Sequence, residues 1–224
     1  MPHPSVWAST LGALLVLLLS AFPVTAQAHK GVVIGAEPGR FDYYLMTLSW
    51  SPSYCVTHAY DERQCGTRGF GFVLHGLWPQ YADGGWPEAC PGARNVPAAV
   101  RNRTLAFMPS ERLIDHEWRK HGTCSGLSPA NYFREADKAF AKVRIPKPLE
   151  SASVPQNWTV DDLIRAFREA NPVIPEQGIA VDCSGNQLSE VRVCLDRTTL
   201  NPTRCGQGVT NLCRPGPLRI TPQR

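Results

Sequence analysis

"LIDHEWRKHGTC", Leu113–Cys124, crowds two histidines, a glutamate and a lysine around one tryptophan. A zinc-peptidase helix carries two histidines four residues apart, so that both face one way. Here His116 and His121 are five apart, which at about 100° per residue turns them roughly 140° from each other. They cannot easily grip one ion. Glu117 and His121, by contrast, are four apart, and Lys120 follows Glu117 by three. Carboxylate, ammonium and imidazole therefore share a helical face, with His116 above Lys120 at its edge. Ser110 is a good N-cap for this helix, which the pattern carries through Lys120, and Gly122 is a plausible stop. The set reads as acid–base chemistry without a metal.

An imidazole titrates near neutrality, a carboxylate one turn away can orient it, and a lysine beside both can meet developing negative charge. Delivering a proton to a leaving group calls for a second titratable residue. His75 is the candidate, in "FVLHGLWPQ" (Phe72–Gln80). Phe70–Leu77 reads as a strand, with Phe70, Phe72 and Leu74 on one face and Gly71, Val73 and His75 on the other. Gly76 would let a substrate backbone come close. Singly these residues are ordinary: a histidine in an apolar strand, surface helix pairs, three tryptophans at Trp78, Trp86 and Trp118. Their conjunction is what points to a site.

The chain has 224 residues and a formal charge of +4, a modest basic excess that permits a polyanionic partner without requiring one. It opens on an apolar run, "LGALLVLLLSAFPV", broken by Pro23 and too short for a comfortable membrane span. Ala26-Gln27-Ala28 has the small-residue pattern of a cleavage site, so residues 1–28 are expected to be a signal peptide and residues 29–224 a single domain. All eight cysteines (55, 65, 90, 124, 183, 194, 205 and 213) follow that point. No Cys-x-x-Cys pair occurs, which argues against thiol ligation of a metal, and an even number in an exported chain implies disulfides.

Phe41–Trp50 reads as a strand closed by "SPSYC", and Pro79–Asn95 as Gly- and Pro-rich loop. Pro129–Val143 reads as a helix with Tyr132, Phe133, Ala136, Ala139 and Phe140 near one stripe. "RIPKPLESASVPQN" reads as loop, and Thr159 caps a helix to Ala170. Gly178–Asp182 and Glu190–Leu195 read as strands, and "RPGPLRITPQR" as an irregular tail. Strands and helices mixed without strict alternation predict an α+β fold.

The two blocks "FVLHGLWPQ" and "LIDHEWRKHGTC", supported by "LSWSPSYC" and "WPEAC", resemble the T2 ribonucleases, and the overall cut is similar to the bacterial exported branch. The resemblance implies a disulfide-stapled fold with a central antiparallel sheet packed with several helices. It implies an endonuclease that cuts single-stranded RNA to 2′,3′-cyclic phosphate ends, with no metal or other cofactor. It makes His121 the general base, His75 the general acid, and Glu117 and Lys120 the groups that stabilise the transition state. His116 then binds phosphate and Trp78 stacks on a base. Gln80 stands where purine-preferring relatives carry aspartate, so broad base specificity is expected. Family likeness also implies the pairs Cys90–Cys124, Cys55–Cys65, Cys183–Cys213 and Cys194–Cys205. A monomer off the membrane, secreted or periplasmic, completes the expectation.

Overall fold

The computed structural model describes Met1 and residues 31–223, so the cleavage point expected after Ala28 lies outside the described residues. In chain order its elements are β1 (Val32–Ile34), β2 (Tyr43–Trp50), α1 (Ser51–Thr57), α2 (Glu62–Cys65), β3 (Phe72–Gln80) and β4 (Trp86–Glu88). Then come α3 (Ala98–Thr104), α4 (Glu111–Lys120), α5 (Pro129–Lys142), α6 (Lys147–Glu150) and β5 (Gln156–Trp158). The last are α7 (Val160–Ala170), β6 (Ile179–Ser184), β7 (Gln187–Asp196) and β8 (Leu218–Ile220). Strands β3-β2-β7-β8-β5 form the main sheet, with β6 also on β7, while β1 and β4 make a separate parallel pair. Among the described residues no helix is long and apolar enough to cross a membrane.

Alternation along the strands divides the sheet into a core face and a polar face. Tyr44, Met46, Leu48 and Trp50 of β2 and Val191, Val193 and Leu195 of β7 enter the core, where α5 and α7 add Tyr132, Phe133 and Phe167. Thr47 and Ser49 of β2 and Glu190 and Arg192 of β7 alternate onto the other face, paired Thr47 with Arg192 and Ser49 with Glu190.

In β3 the alternation slips. Thr47 pairs with Gly76 and Leu48 with Leu74, so His75 is an extra residue, a β-bulge. The slip keeps Phe72, Leu74 and Leu77 all in the core. It also puts His75 and Trp78, three residues apart, on the same polar side, where their rings meet edge to face at 5.2 Å. A regular strand would turn them to opposite faces.

Several segments depart from the sequence reading. The expected loop from Pro79 begins too early: β3 runs on to Gln80, tolerating Pro79 because β3 is the outermost strand of the sheet. Within that loop Trp86–Glu88 forms β4. The stretch taken as loop before Thr159 contains α6 and opens β5, which pairs with β8 from the supposedly irregular tail. "SPSYC" opens a helix with proline in its first turn, and α3 carried no clear signal. Gly122 does not end α4 in a left-handed turn. His121 is the C-cap, and Gly122 opens a 3-10 turn where a Cβ would lie 2.4 Å from Trp118.

The capping serine and threonine read from the sequence do cap. Ser110 accepts from Leu113 N–H, and Thr159 forms a capping box with Asp162. The cysteines pair 55–65, 90–124, 183–213 and 194–205. Each bridge restrains the unfolded chain by about 2–4 kcal/mol.

Candidate active site

The polar face of β3, β2 and β7 and the inward edge of α4 bound one cleft of about 440 Å³. It is lined by His75, Trp78, His116, Glu117, Lys120 and His121, with Arg192 on the sheet side. Gln80, also expected at the site, lines the cleft but is buried, its amide donating to Pro79 O. The seven expected site residues therefore converge, drawn from two segments that the fold brings into contact.

The close approach of α4 to β3 depends on the absence of a side chain. A Cβ at Gly76 would lie 2.2 Å from both Glu117 Oε2 and Trp78 Nε1. Substrate does not occupy that space, as the sequence reading supposed; the helix's own carboxylate does. Glu117 is only 1% exposed, and it accepts a 2.6 Å hydrogen bond from Trp78 Nε1–H. Its other oxygen stands 3.6 Å from His75 Nε2. Glu117 thus serves the strand histidine and the tryptophan. The expected orientation of His121 by Glu117 is not formed.

The two imidazoles sit in opposite electrostatic settings. His75 Nδ1 bonds Glu190 Oε1 at 2.6 Å. Burial alone would lower the proton affinity of His75, but the Glu190 hydrogen bond and the Glu117 and Glu190 charges outweigh it, and the pKa is raised. Glu190 is itself held by Arg192 at 2.8 Å, and Arg192 is also bonded to Asp182 at 2.6 Å. Burial opposes ionisation of Glu190, yet His75 and Arg192 hold its carboxyl below the usual range. For His121, burial followed by the charges of Lys120, His75 and His116 pushes the pKa down to about 2. Its Nδ1 is buried and has no hydrogen-bond partner among the described residues. One ring has a carboxylate behind it, and the other does not.

Burial, despite the opposing pull of His75, Trp78 and Lys120, raises the Glu117 pKa to about 7. Lys120 Nζ stands 3.7 Å from Glu88 Oε2 at the end of β4. The Cys90–Cys124 bridge and the Ala89 N–H to Lys120 O bond pin that strand to the end of α4. His116 is exposed, and partial burial with the Lys120 and Arg119 charges lowers its pKa. The lowered proton affinity favours the neutral ring, which acts as a hydrogen-bonding group. Trp78 is less open than the stacking role implies. Its ring stacks on His121 at 5.1 Å and lies under the Arg192 guanidinium. Among the described residues no three His, Cys, Asp or Glu side chains group so as to hold a metal ion.

The model of the Ribonuclease T2 family matches residues 41–205, which takes in every residue of this cleft named above. The chain belongs to the ribonuclease T2 family. A ribonuclease of Aeromonas hydrophila is 46% identical over 133 residues, 59% of this chain and 58% of that protein. Ribonuclease DdI of Dictyostelium discoideum is 31% identical over 87% of this chain and 91% of its own length. An RNase-related protein from Calystegia sepium has a similar structure, with a TM-score of 0.65 and 25% identity over 82% of this chain and 97% of that one.

For this T2-family ribonuclease, sequence reasoning missed Glu190, Arg192, Glu88 and the Gln207–Val209 rim of the cleft. Glu190 is 115 residues from His75. No local pattern relates them; they meet only because β2 presents small Thr47 and Ser49 between them. The one available signal was Glu190 and Arg192 alternating with valines in a strand whose other face is apolar.

Proposed function

We propose that the protein cleaves single-stranded RNA by transphosphorylation, without a metal ion. His121, kept neutral, takes the proton of the ribose 2′-OH as that oxygen attacks phosphorus. The bond from phosphorus to the 5′-oxygen breaks, and His75 Nε2–H supplies the proton that oxygen needs. The products are a 2′,3′-cyclic phosphate and a free 5′-OH. The observation that carries this reading is that two imidazoles pack on one indole, His75 with its Nδ1 on a carboxylate and His121 with no partner at its Nδ1.

A base with a pKa near 2 is weak, and substrate corrects that. The charges that depress His121 are those of Lys120 and His75, joined by His116 when that ring is protonated. A bound phosphodiester brings the negative charge that offsets them, so the His121 pKa rises on binding. Lys120, with His116 as a donor, supports the non-bridging oxygens as negative charge builds. The requirement for a 2′-OH selects RNA over DNA without a base contact. The remaining lining, which includes Leu45, Trp86 and Val209, is largely apolar, in keeping with broad base tolerance. One chain supplies the whole cleft, so a monomer suffices. Four disulfides fit an oxidising compartment, and the reading includes export to the periplasm or medium after cleavage at Ala28.

The deciding experiment incubates the protein with single-stranded RNA in excess EDTA and analyses the ends. Cyclic phosphate ends and survival of an all-2′-deoxy strand are expected; loss of cutting in EDTA, or binding without cutting, overturns the reading. Glu190 is expected to act through His75. Glu190→Gln keeps an acceptor for Nδ1–H but removes the charge that favours the imidazolium. Activity should fall on the order of tenfold near neutrality, with the alkaline limb of kcat/KM moving to lower pH, because His75 must be protonated to act. An alkaline limb left in place would show that Glu190 has no hold on the acid.

A further inference from the structure

We propose that Arg192 is a positioning residue for the proton donor: it fixes the Glu190 carboxylate against His75, and Asp182 in turn aims the guanidinium. The inference rests on the ribonuclease reading above and extends it to two side chains that hydrogen-bond to neither imidazole.

Strand alternation puts Glu190 and Arg192 two residues apart on the same face of β7. The two oxygens of Glu190 are divided between partners. Oε1 bonds His75 Nδ1 at 2.6 Å, whereas Oε2 accepts from Arg192 Nε at 3.1 Å and from Nη2 at 2.8 Å. A carboxylate engaged at one oxygen is free to turn about that contact; one engaged at both is not. The planar fork of an arginine sets the plane of the carboxylate as well as its place, which the point charge of a lysine does not.

The arginine is aimed from the next strand. Asp182 of β6 lies directly opposite Glu190 in the register, and its Oδ2 accepts from Arg192 Nη2 at 2.6 Å. Like charges that face each other across a strand pair are unfavourable, and the guanidinium between them removes the conflict. Asp182 is itself braced: Cys183 beside it is bridged to Cys213, and Asp182 pairs with Leu212. Opposite Arg192 the neighbouring strands carry Thr47 and Ala180, both small and buried, which leaves the long side chain room over the sheet.

Arg192 lines the cleft, so a direct hold on the substrate phosphate is the competing role. Charge argues against it. Two carboxylates share this one guanidinium, and its Nε and Nη2 are committed to them. Its carbon also lies over the Trp78 ring, 5.9 Å from the centroid. Little positive charge is left for a phosphate. Lys120 differs, with a single carboxylate at 3.7 Å.

Arg192→Met would leave Asp182 facing Glu190 with no cation between them and endanger the fold, so the test uses Arg192→Lys, which keeps the charge and loses the fork. On a dinucleoside monophosphate, kcat should fall about tenfold with KM within about twofold, the signature of a misplaced reacting group. In a Glu190→Gln background the same change should cost less than about twofold, because an effect that runs through Glu190 is not additive with its loss. Proton NMR at about pH 5, below the raised His75 pKa, supplies a readout apart from activity. The His75 Nδ1–H should resonate far downfield in the wild type, and move upfield in Glu190→Gln, which assigns it, and in Arg192→Lys. Asp182→Ala should shift kcat and the resonance in the same direction by less. Fully multiplicative losses in the double variant, a loss carried by KM, or an unmoved resonance in Arg192→Lys overturns the proposal. Both readouts unmoved in Asp182→Ala overturn the part given to Asp182. If the wild type does not cut RNA, the ribonuclease reading fails instead, and the resonance still decides whether Arg192 holds Glu190 on His75.

Discussion

His121→Ala and His75→Ala should each lower kcat at least 100-fold on a dinucleotide, within the 10²–10⁴-fold range of a lost acid or base. The two variants should differ in what they do to the pH profile. His75 must carry a proton, and its carboxylate partner raises its pKa, so the alkaline limb of the wild-type profile belongs to it. That limb disappears in His75→Ala. His121 must be neutral, and in the free protein it is so down to about pH 2. Since kcat/KM reports the free protein and kcat the complex, the acid limb should stand at higher pH in kcat than in kcat/KM. Substrate phosphate, by raising the His121 pKa, makes the difference. In His121→Ala the acid limb goes. Profiles from about pH 4 to about pH 9 decide the assignment, with an acid limb expected in kcat and none expected in kcat/KM over that range; reversed loss of the limbs in the two variants would exchange the roles of the histidines.

Gly76→Ala should be nearly as damaging, although it adds one methyl group and removes no functional group. The new carbon would fall 2.2 Å from Glu117 Oε2 and from Trp78 Nε1. Neither side can yield cheaply. Trp78 and Glu117 are joined at 2.6 Å, and α4 is anchored by buried Ile114 and Trp118 and by the Cys90–Cys124 bridge beyond its end. Overpacking of this kind costs about 1–3 kcal/mol of stability. The larger effect is kinetic, because moving a helix that carries three site groups by about an ångström can cost on the order of 100-fold. A thermal melt showing a folded protein with a modestly lower Tm, beside kcat reduced about 100-fold, is the expected pair. Near-wild-type kcat would mean that the strand and helix are not held together as tightly as this geometry requires.

The two predictions draw on different kinds of information. The histidines were legible because each lies in a stretch with its own periodicity: the i, i+3, i+4 spacing of Glu117, Lys120 and His121, and the apolar alternation around His75. The N-caps Ser110 and Thr159 were legible for the same local reason. What Glu117 does was not. Helical spacing placed it beside His121, whereas packing against a glycine turns its carboxylate to His75 and Trp78. The bulge at His75 left a trace in the uneven series Phe72, Leu74, Leu77, which strict alternation treats as a lapse. Pairing of β5 with β8 joins residues about sixty positions apart, so neither strand carried a signal of its own.

The amino-acid order alone determined the family, the class of fold and the two histidines, because helix and strand periods are set by a residue's near neighbours along the chain. Tertiary structure decided how the two imidazoles differ in proton affinity. That depends on Glu190, which reaches His75 only through the register of β7 on β2, and on Lys120, His116 and His75 converging around His121. Proton affinity responds to charges and burial in space, and a one-dimensional pattern does not contain those distances.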